Sequence, residues 1–189
     1  MAAVLEILGV VDVTQDGMER TPERFVKALD EMAWGRDLSP ARHLDVTFPS
    51  EGGGRITVER IPVTALCAHH LLPFDGFLWV SYIPRRGARI VGLSKLARLS
   101  QEYAARATVQ ERITTEIADA VEKQLDVEGV AVLMKADHSC MSRRGARAHG
   151  ADTITEEYRG VFDTDSSLQT GFLIKALHEV SRAMVEELG

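Results

Sequence analysis

No stretch of this chain stays apolar for the roughly 20 residues that a membrane-spanning helix requires. Residues 1–13 carry Glu6 and Asp12 and lack a basic leader, so no signal peptide is expected. A cytoplasmic location follows as the expectation, with no membrane partner. Positive charge is in short supply: 22 Lys and Arg stand against 28 Asp and Glu, a net charge of -6. That balance argues against a nucleic-acid partner, because neutralisation of phosphates by Lys and Arg supplies most such affinity. Any anionic ligand must therefore meet a local basic cluster. Cysteine is scarce too, with Cys67 and Cys140 the only two. A disulfide between them is disfavoured inside a cell, which leaves buried thiols or a metal site. Repeats, low-complexity tracts and interdomain linkers are absent. The 189 residues suit one domain, large enough to bury a core without a covalent staple.

What is present clusters around those two cysteines. Cys67-Ala68-His69-His70 and His138-Ser139-Cys140 put three imidazoles beside the two thiols. Zinc takes thiolate, imidazole and carboxylate ligands, and a catalytic zinc keeps one of four positions open. Cys67, His70 and Cys140 make a set of three with no obvious fourth, as a catalytic site needs. Adjacent residues of an extended chain face opposite ways, so His69 and His70 are not expected to bind one ion. His70 has the better spacing from Cys67. His69 and His138 then stand beside the ion as acid–base groups, since imidazole titrates near neutrality.

The rest of the chain reads as mixed α and β. Residues 2–9 suggest a short apolar helix ending at Gly9. Thr21 is placed to cap a second helix, with Pro22 at its first position, a stripe of Phe25, Leu29 and Met32, and Gly35 as its stop. Residues 37–54 read as loop. Residues 55–61 and 74–83 alternate as strands, with 89–92 a short extension. Ser94 is expected to cap a helix through Leu96, Leu99 and Tyr103. Thr108 and Glu111 fit a T-x-x-E capping box for the next, whose stripe is Ile113, Ile117, Ala120, Val121 and Leu125. Strands follow at 127–136 and 153–162, and Asp165 begins a closing helix with Leu168, Phe172, Leu173, Leu177 and Val180. Adjacent helices flanked by strand pairs indicate α+β rather than a doubly wound sheet. Arg24 and Lys27 share a helix face that reads as a solvated basic edge. Ser94, Lys95 and Arg98 at a helix N-terminus suit either an anion site or a capped, solvated helix.

Several stretches, in order, resemble the motifs of GTP cyclohydrolase I. These are Cys67 to His70, Ile90-Val91-Gly92-Leu93-Ser94-Lys95-Leu96-Ala97-Arg98, Val109-Gln110-Glu111-Arg112 and His138-Ser139-Cys140-Met141-Ser142-Arg143-Arg144-Gly145. Thr21 to Lys27 resembles the family's helical entry segment. The resemblance implies a tunnelling fold: an antiparallel sheet with helices on one face, at 51–189, behind an N-terminal helical segment at 1–50. It implies a homodecamer of two stacked pentamers with active sites at subunit interfaces. The implied reaction turns GTP and water into formate and 7,8-dihydroneopterin triphosphate, through attack of a zinc-activated water on purine C8. Zinc (Zn2+) would sit on Cys67, His70 and Cys140, with His69 and His138 moving protons. Glu111, with Gln110, would read the guanine edge, displacing the capping-box role as the main one. Arg24, Lys27, Ser94, Lys95, Arg98 and Arg144 would hold triphosphate and ribose, which is how an acidic chain binds a polyanion.

Two positions depart from the family pattern. Ala68 stands where the family usually has Glu, and the acids Glu156 and Glu157 lie in what is commonly a Thr/Ser-rich run. A divergent paralogue serving specialised pterin or deazapurine synthesis, or another purine nucleotide, is one alternative. A non-catalytic, zinc-stabilised assembly protein is another. A zinc deaminase is excluded by the missing H-x-E and C-x-x-C signatures.

Overall fold

A computed structural model describes residues 9, 12–50 and 52–186 of the chain, with 177–186 described through their backbone alone. The helix expected over 2–9 and the contributions of Leu177 and Val180 lie outside what is described. Six helices are named in chain order: α1 (Thr21–Met32), α2 (Leu93–Ala104), α3 (Gln110–Gln124), α4 (Ser139–Ser142), α5 (Val161–Thr164) and α6 (Ser166–Glu186). A 3-10 turn covers Pro40–Leu44. The strands are β1 (Thr47–Pro49), β2 (Ile56–Cys67), β3 (Pro73–Pro84), β4 (Arg89–Val91), β5 (Ala107–Thr108), β6 (Val127–His138) and β7 (Asp152–Gly160).

A five-stranded sheet in the order β5-β2-β3-β6-β7 forms the body, antiparallel except for the short parallel β2/β5 contact. β1 and β4 make a separate two-stranded ribbon. That pairing was not legible at 47–49, where Pro49 and the neighbouring glycines look like loop. Strand alternation sorts the core onto two sides. Leu78, Val80 and Tyr82 of β3 and Val130, Val132 and Met134 of β6 face Leu96 and Leu99 of α2 and Ile113, Ile117 and Val121 of α3. Trp79, Ala131 and Leu133 face the opposite way, onto Phe162 of α5 and Phe172 and Ala176 of α6. Helices therefore cover both faces, where one was expected. Burial of each large side chain in these layers is worth about 1.5–3 kcal/mol.

Three expected caps are replaced. Thr21 lies inside α1, and Arg20 holds the capping position with no side-chain bond. Gly92 rather than Ser94 begins α2, its carbonyl accepting from Lys95 N at 2.8 Å. Val109 begins α3, while Thr108 is drawn into β5, so the T-x-x-E capping box does not form. In the last two cases backbone pairing places the chain before the helix more firmly than a hydroxyl cap would. Asp165 does cap α6, its Oδ1 accepting from Ser167 N at 2.8 Å.

The N-terminal segment is anchored by a buried acid. Glu102 of α2 is 1 % exposed and accepts two hydrogen bonds of 2.6 Å from Arg42 of the 3-10 turn. His43 Nε2 lies 2.9 Å from the same carboxylate. Gly35 lies against this hub: a Cβ there would meet Glu102 O at 2.3 Å. Close approach, not a helix stop, explains that glycine. Above the hub α1 buries none of its residues, and Phe25 of its expected stripe stays 42 % exposed. Glu102→Ala leaves the Arg42 guanidinium without its carboxylate and His43 Nε2 without its acceptor. Because Arg42 is partly solvated, the expected loss is about 2–3 kcal/mol, read as a lower urea midpoint, with a smaller loss for Arg42→Ala.

Candidate active site

The strand registers bring the two Cys/His clusters together. Leu66 pairs with Pro73, and Phe74 pairs with His138. The end of β2, the start of β3 and the end of β6 therefore meet at one edge of the sheet. Between β2 and β3 the chain makes a tight turn: Leu71 N donates to Cys67 O at 2.8 Å, and Cys67 N to Leu72 O at 2.8 Å. Leu71 closes it with a φ of 54°, a left-handed conformation that disfavours a side chain.

This turn changes the reason for separating His69 from His70. The stretch is not extended, and both Nδ1 atoms lie close to Cys67 Sγ, at 3.8 Å for His69 and 3.7 Å for His70. Cys140 makes the distinction. Donor atoms of Cys67, His70 and Cys140 all lie within 4.8 Å of one another, and His69 is outside that group. Two sulfurs and an imidazole form a borderline-soft donor set of the kind zinc accepts, with no carboxylate in it. Burial and the adjacent Cys67 push the Cys140 thiol above its ordinary value, with Arg144 opposing.

Arg144 reaches the cluster from the other side, its Nη1 3.0 Å from His70 Nε2. A guanidinium only donates, so Nε2 accepts here. A neutral imidazole has one ring lone pair, so a metal at Nδ1 and this arginine bond exclude each other. Metal uptake would free Arg144.

A cavity of about 540 Å³ opens beside the cluster, lined among others by Cys67, His69, Glu111, Arg112, His138 and Cys140. The absent capping box leaves the Glu111 carboxylate without a hydrogen-bond partner among the described residues, facing this space. His138 is stacked flat on Phe74, with centroids 4.3 Å apart and planes at 8°. Its Nε2 lies 2.7 Å from Gln110 Oε1. Burial pushes the His138 imidazole below its ordinary value, against the upward pull of Glu111 and Asp137. Arg24, Lys27, Ser94, Lys95 and Arg98 do not line the cavity. Arg24 instead bonds Gly17 O at 3.1 Å, and Lys27 pairs with Glu31 at 3.5 Å. Arg112, Phe74, Met141 and Thr153 line it without having been singled out from the sequence. Arg112 stands in a motif already noted. Phe74 is found only through its cross-strand pairing.

The structure is an α+β fold with helices on both faces of its sheet and a cleft beside a group able to hold a metal. The family model of GTP cyclohydrolase I matches residues 1–176. The chain belongs to the GTP cyclohydrolase I family. GTP cyclohydrolase 1 of Desulforamulus reducens is 45 % identical over 159 residues, covering 84 % of this chain and 84 % of that protein. The protein of that name from Carboxydothermus hydrogenoformans is 42 % identical over 161 residues, covering 85 % and 83 %. That from Mycobacterium tuberculosis is 42 % identical over 168 residues, covering 88 % and 83 %. Among solved structures, apo archaeosine synthase QueF-Like aligns with 59 % of this chain and 97 % of its own, at 14 % identity and a TM-score of 0.42. No helix among the described residues is long and apolar enough to cross a membrane.

A thiophilic divalent ion titrated into metal-free protein should saturate at one per chain, and Cys140→Ala should bind none over the same range. The raised Cys140 thiol must lose its proton to bind. Affinity should therefore fall as pH falls, with protons released on uptake. Calorimetry in buffers of different ionisation enthalpy measures both.

Proposed function

We propose that this enzyme converts GTP and water to 7,8-dihydroneopterin triphosphate and formate, feeding pterin and folate synthesis in the cytoplasm. The observation that carries the reading is a Cys67, His70 and Cys140 donor group at the edge of a cleft lined by His69, His138 and Glu111, in a chain of this family. Cys67, His70 and Cys140 would hold zinc, which the donor set suits. Bound there, zinc lowers the pKa of a water ligand and so supplies a nucleophile at neutral pH for purine C8. His69, exposed in the turn, exchanges protons with solvent and substrate. His138, half-buried and stacked on Phe74, takes and returns a proton at the reacting ring. Glu111 accepts hydrogen bonds from two N–H groups of the guanine edge, a geometry a free carboxylate suits.

The triphosphate and ribose fall to Arg24, Lys27, Ser94, Lys95, Arg98 and Arg144. Only Arg144 approaches the cleft of its own chain. The exposed basic side chains elsewhere, and α1 with its uncovered Phe25 and Val26, support a site completed by a neighbouring subunit. We propose a homodecamer of two pentamers on that ground, with residues 1–50 as an N-terminal segment and 51–189 as the catalytic domain.

Incubation of zinc-loaded protein with GTP should release formate and give fluorescent neopterin after oxidation, and absence of turnover would sink the reading. Glu111→Ala should lower kcat/KM by about 10–100-fold, the equivalent of one lost charged hydrogen-bonding contact. Light scattering should give about ten times the chain mass of 20.8 kDa.

A further inference from the structure

Gln110, the first residue of α3, is 1 % exposed, and every polar atom of its side chain is engaged. Nε2 donates to Met134 O and to Thr153 O, each at 3.0 Å, and reaches Thr155 Oγ1 at 3.2 Å. Oε1 lies 2.7 Å from His138 Nε2. A side-chain amide has two possible orientations, and the surroundings select one. Two backbone carbonyls only accept, so the NH2 end must face them and the oxygen must face the histidine. That oxygen has no proton to give. The 2.7 Å bond therefore requires the proton to be on His138 Nε2, which leaves Nδ1 as the ring's lone-pair nitrogen.

We propose that Gln110 is a positioning residue that fixes the ring orientation and the Nε2–H tautomer of His138, leaving Nδ1 as its lone-pair nitrogen. Both amide hydrogens of Gln110 are taken by protein carbonyls and one lone pair of Oε1 by His138, so its side chain has no donor left for the guanine edge. The Phe74 stack sets the plane of the ring, and Gln110 sets its rotation and its proton. The amide is required for a physical reason: a carboxylate at 110 would point an anionic oxygen at two carbonyls. β6 and β7 supply those carbonyls, so the sheet orients the catalytic ring through one side chain of α3.

The inference rests on the proton-transfer role proposed for His138, and the test separates the two. Gln110→Met keeps the length and apolar bulk of the side chain and removes its hydrogen bonds. In the zinc-loaded protein kcat should fall by about 10–100-fold, as for other partners that orient functional histidines, with KM for GTP within about twofold. An unchanged kcat with a KM raised about tenfold would assign Gln110 to the guanine and overturn the proposal. Nitrogen-15 spectra of His138 at alkaline pH give a second measurement that needs no turnover. The wild-type ring should show Nε2 protonated and Nδ1 bare, and Gln110→Met should let the Nδ1–H form appear, a change that a purely structural role would not produce. A wild-type ring protonated at Nδ1 overturns the proposal, even if the variant fails to fold. Wild-type protein with the expected tautomer but no GTP turnover would instead refute the function and leave the positioning intact.

Discussion

The antiparallel register of β3 on β6 is the constraint on which the rest of this structure depends. It pairs Phe74 with His138 and runs on to Ile83 and Gly129. Side chains alternate across a strand, so a slip of one residue would send His138 to the opposite face. It would also move the donor group away from Cys67, which the β2/β3 register holds at the same edge. The buried layers on both faces oppose any slip, since Leu78, Val80, Val132 and Met134 would exchange sides with Trp79, Ala131 and Leu133. Packing energy spread over the sheet is thereby spent on placing a few polar atoms at its end.

At that end, three residue types do separate jobs because their surroundings differ. Cys67 and Cys140 come from different strand ends, so the metal group closes only when β2 and β6 are in place. His70 is shared between that group and Arg144, and its single lone pair makes the two partners exclusive. A metal on this group would therefore displace Arg144 from His70. His138 is half-buried, stacked and held by an amide, whereas His69 is exposed. Two imidazoles of the same chemistry thus sit in different surroundings.

The electrostatics of the molecule follow the same division. Acids outnumber bases, yet the strongest acidic contacts are turned inward. Glu102 is paired with Arg42 and contacted by His43 in a buried hub. Asp119 and Glu157 are occupied by Arg159 on the α3/β7 side. Glu111 stands apart, in the first turn of a helix whose capping residue makes no side-chain bond, with its carboxylate toward the cleft. An acid placed there is free to meet N–H donors.

The sequence by itself determined the inventory: which donors exist, the strand and helix periods that carry them, and the charge deficit that any polyanion must overcome. Only two thiols with nearby imidazoles were available, so Cys67, His70 and Cys140 were legible as a metal group from type and spacing. Helix interiors were legible for the same reason, because Ile113, Ile117 and Val121 repeat with the helical period. The caps at Ser94 and Thr108 misled, since local hydroxyl chemistry competes with strand pairing that depends on distant residues, and at Thr21 the helix begins one residue early, with Arg20 in the capping position. Tertiary structure decided what depends on contact between remote segments. Cys140 selects His70 over His69, although both imidazoles lie equally near Cys67. Met134 O and Thr153 O orient Gln110 and hence the proton on His138. Pattern along a chain reports what each residue can do, whereas hydrogen bonds across a sheet fix which of those options it takes.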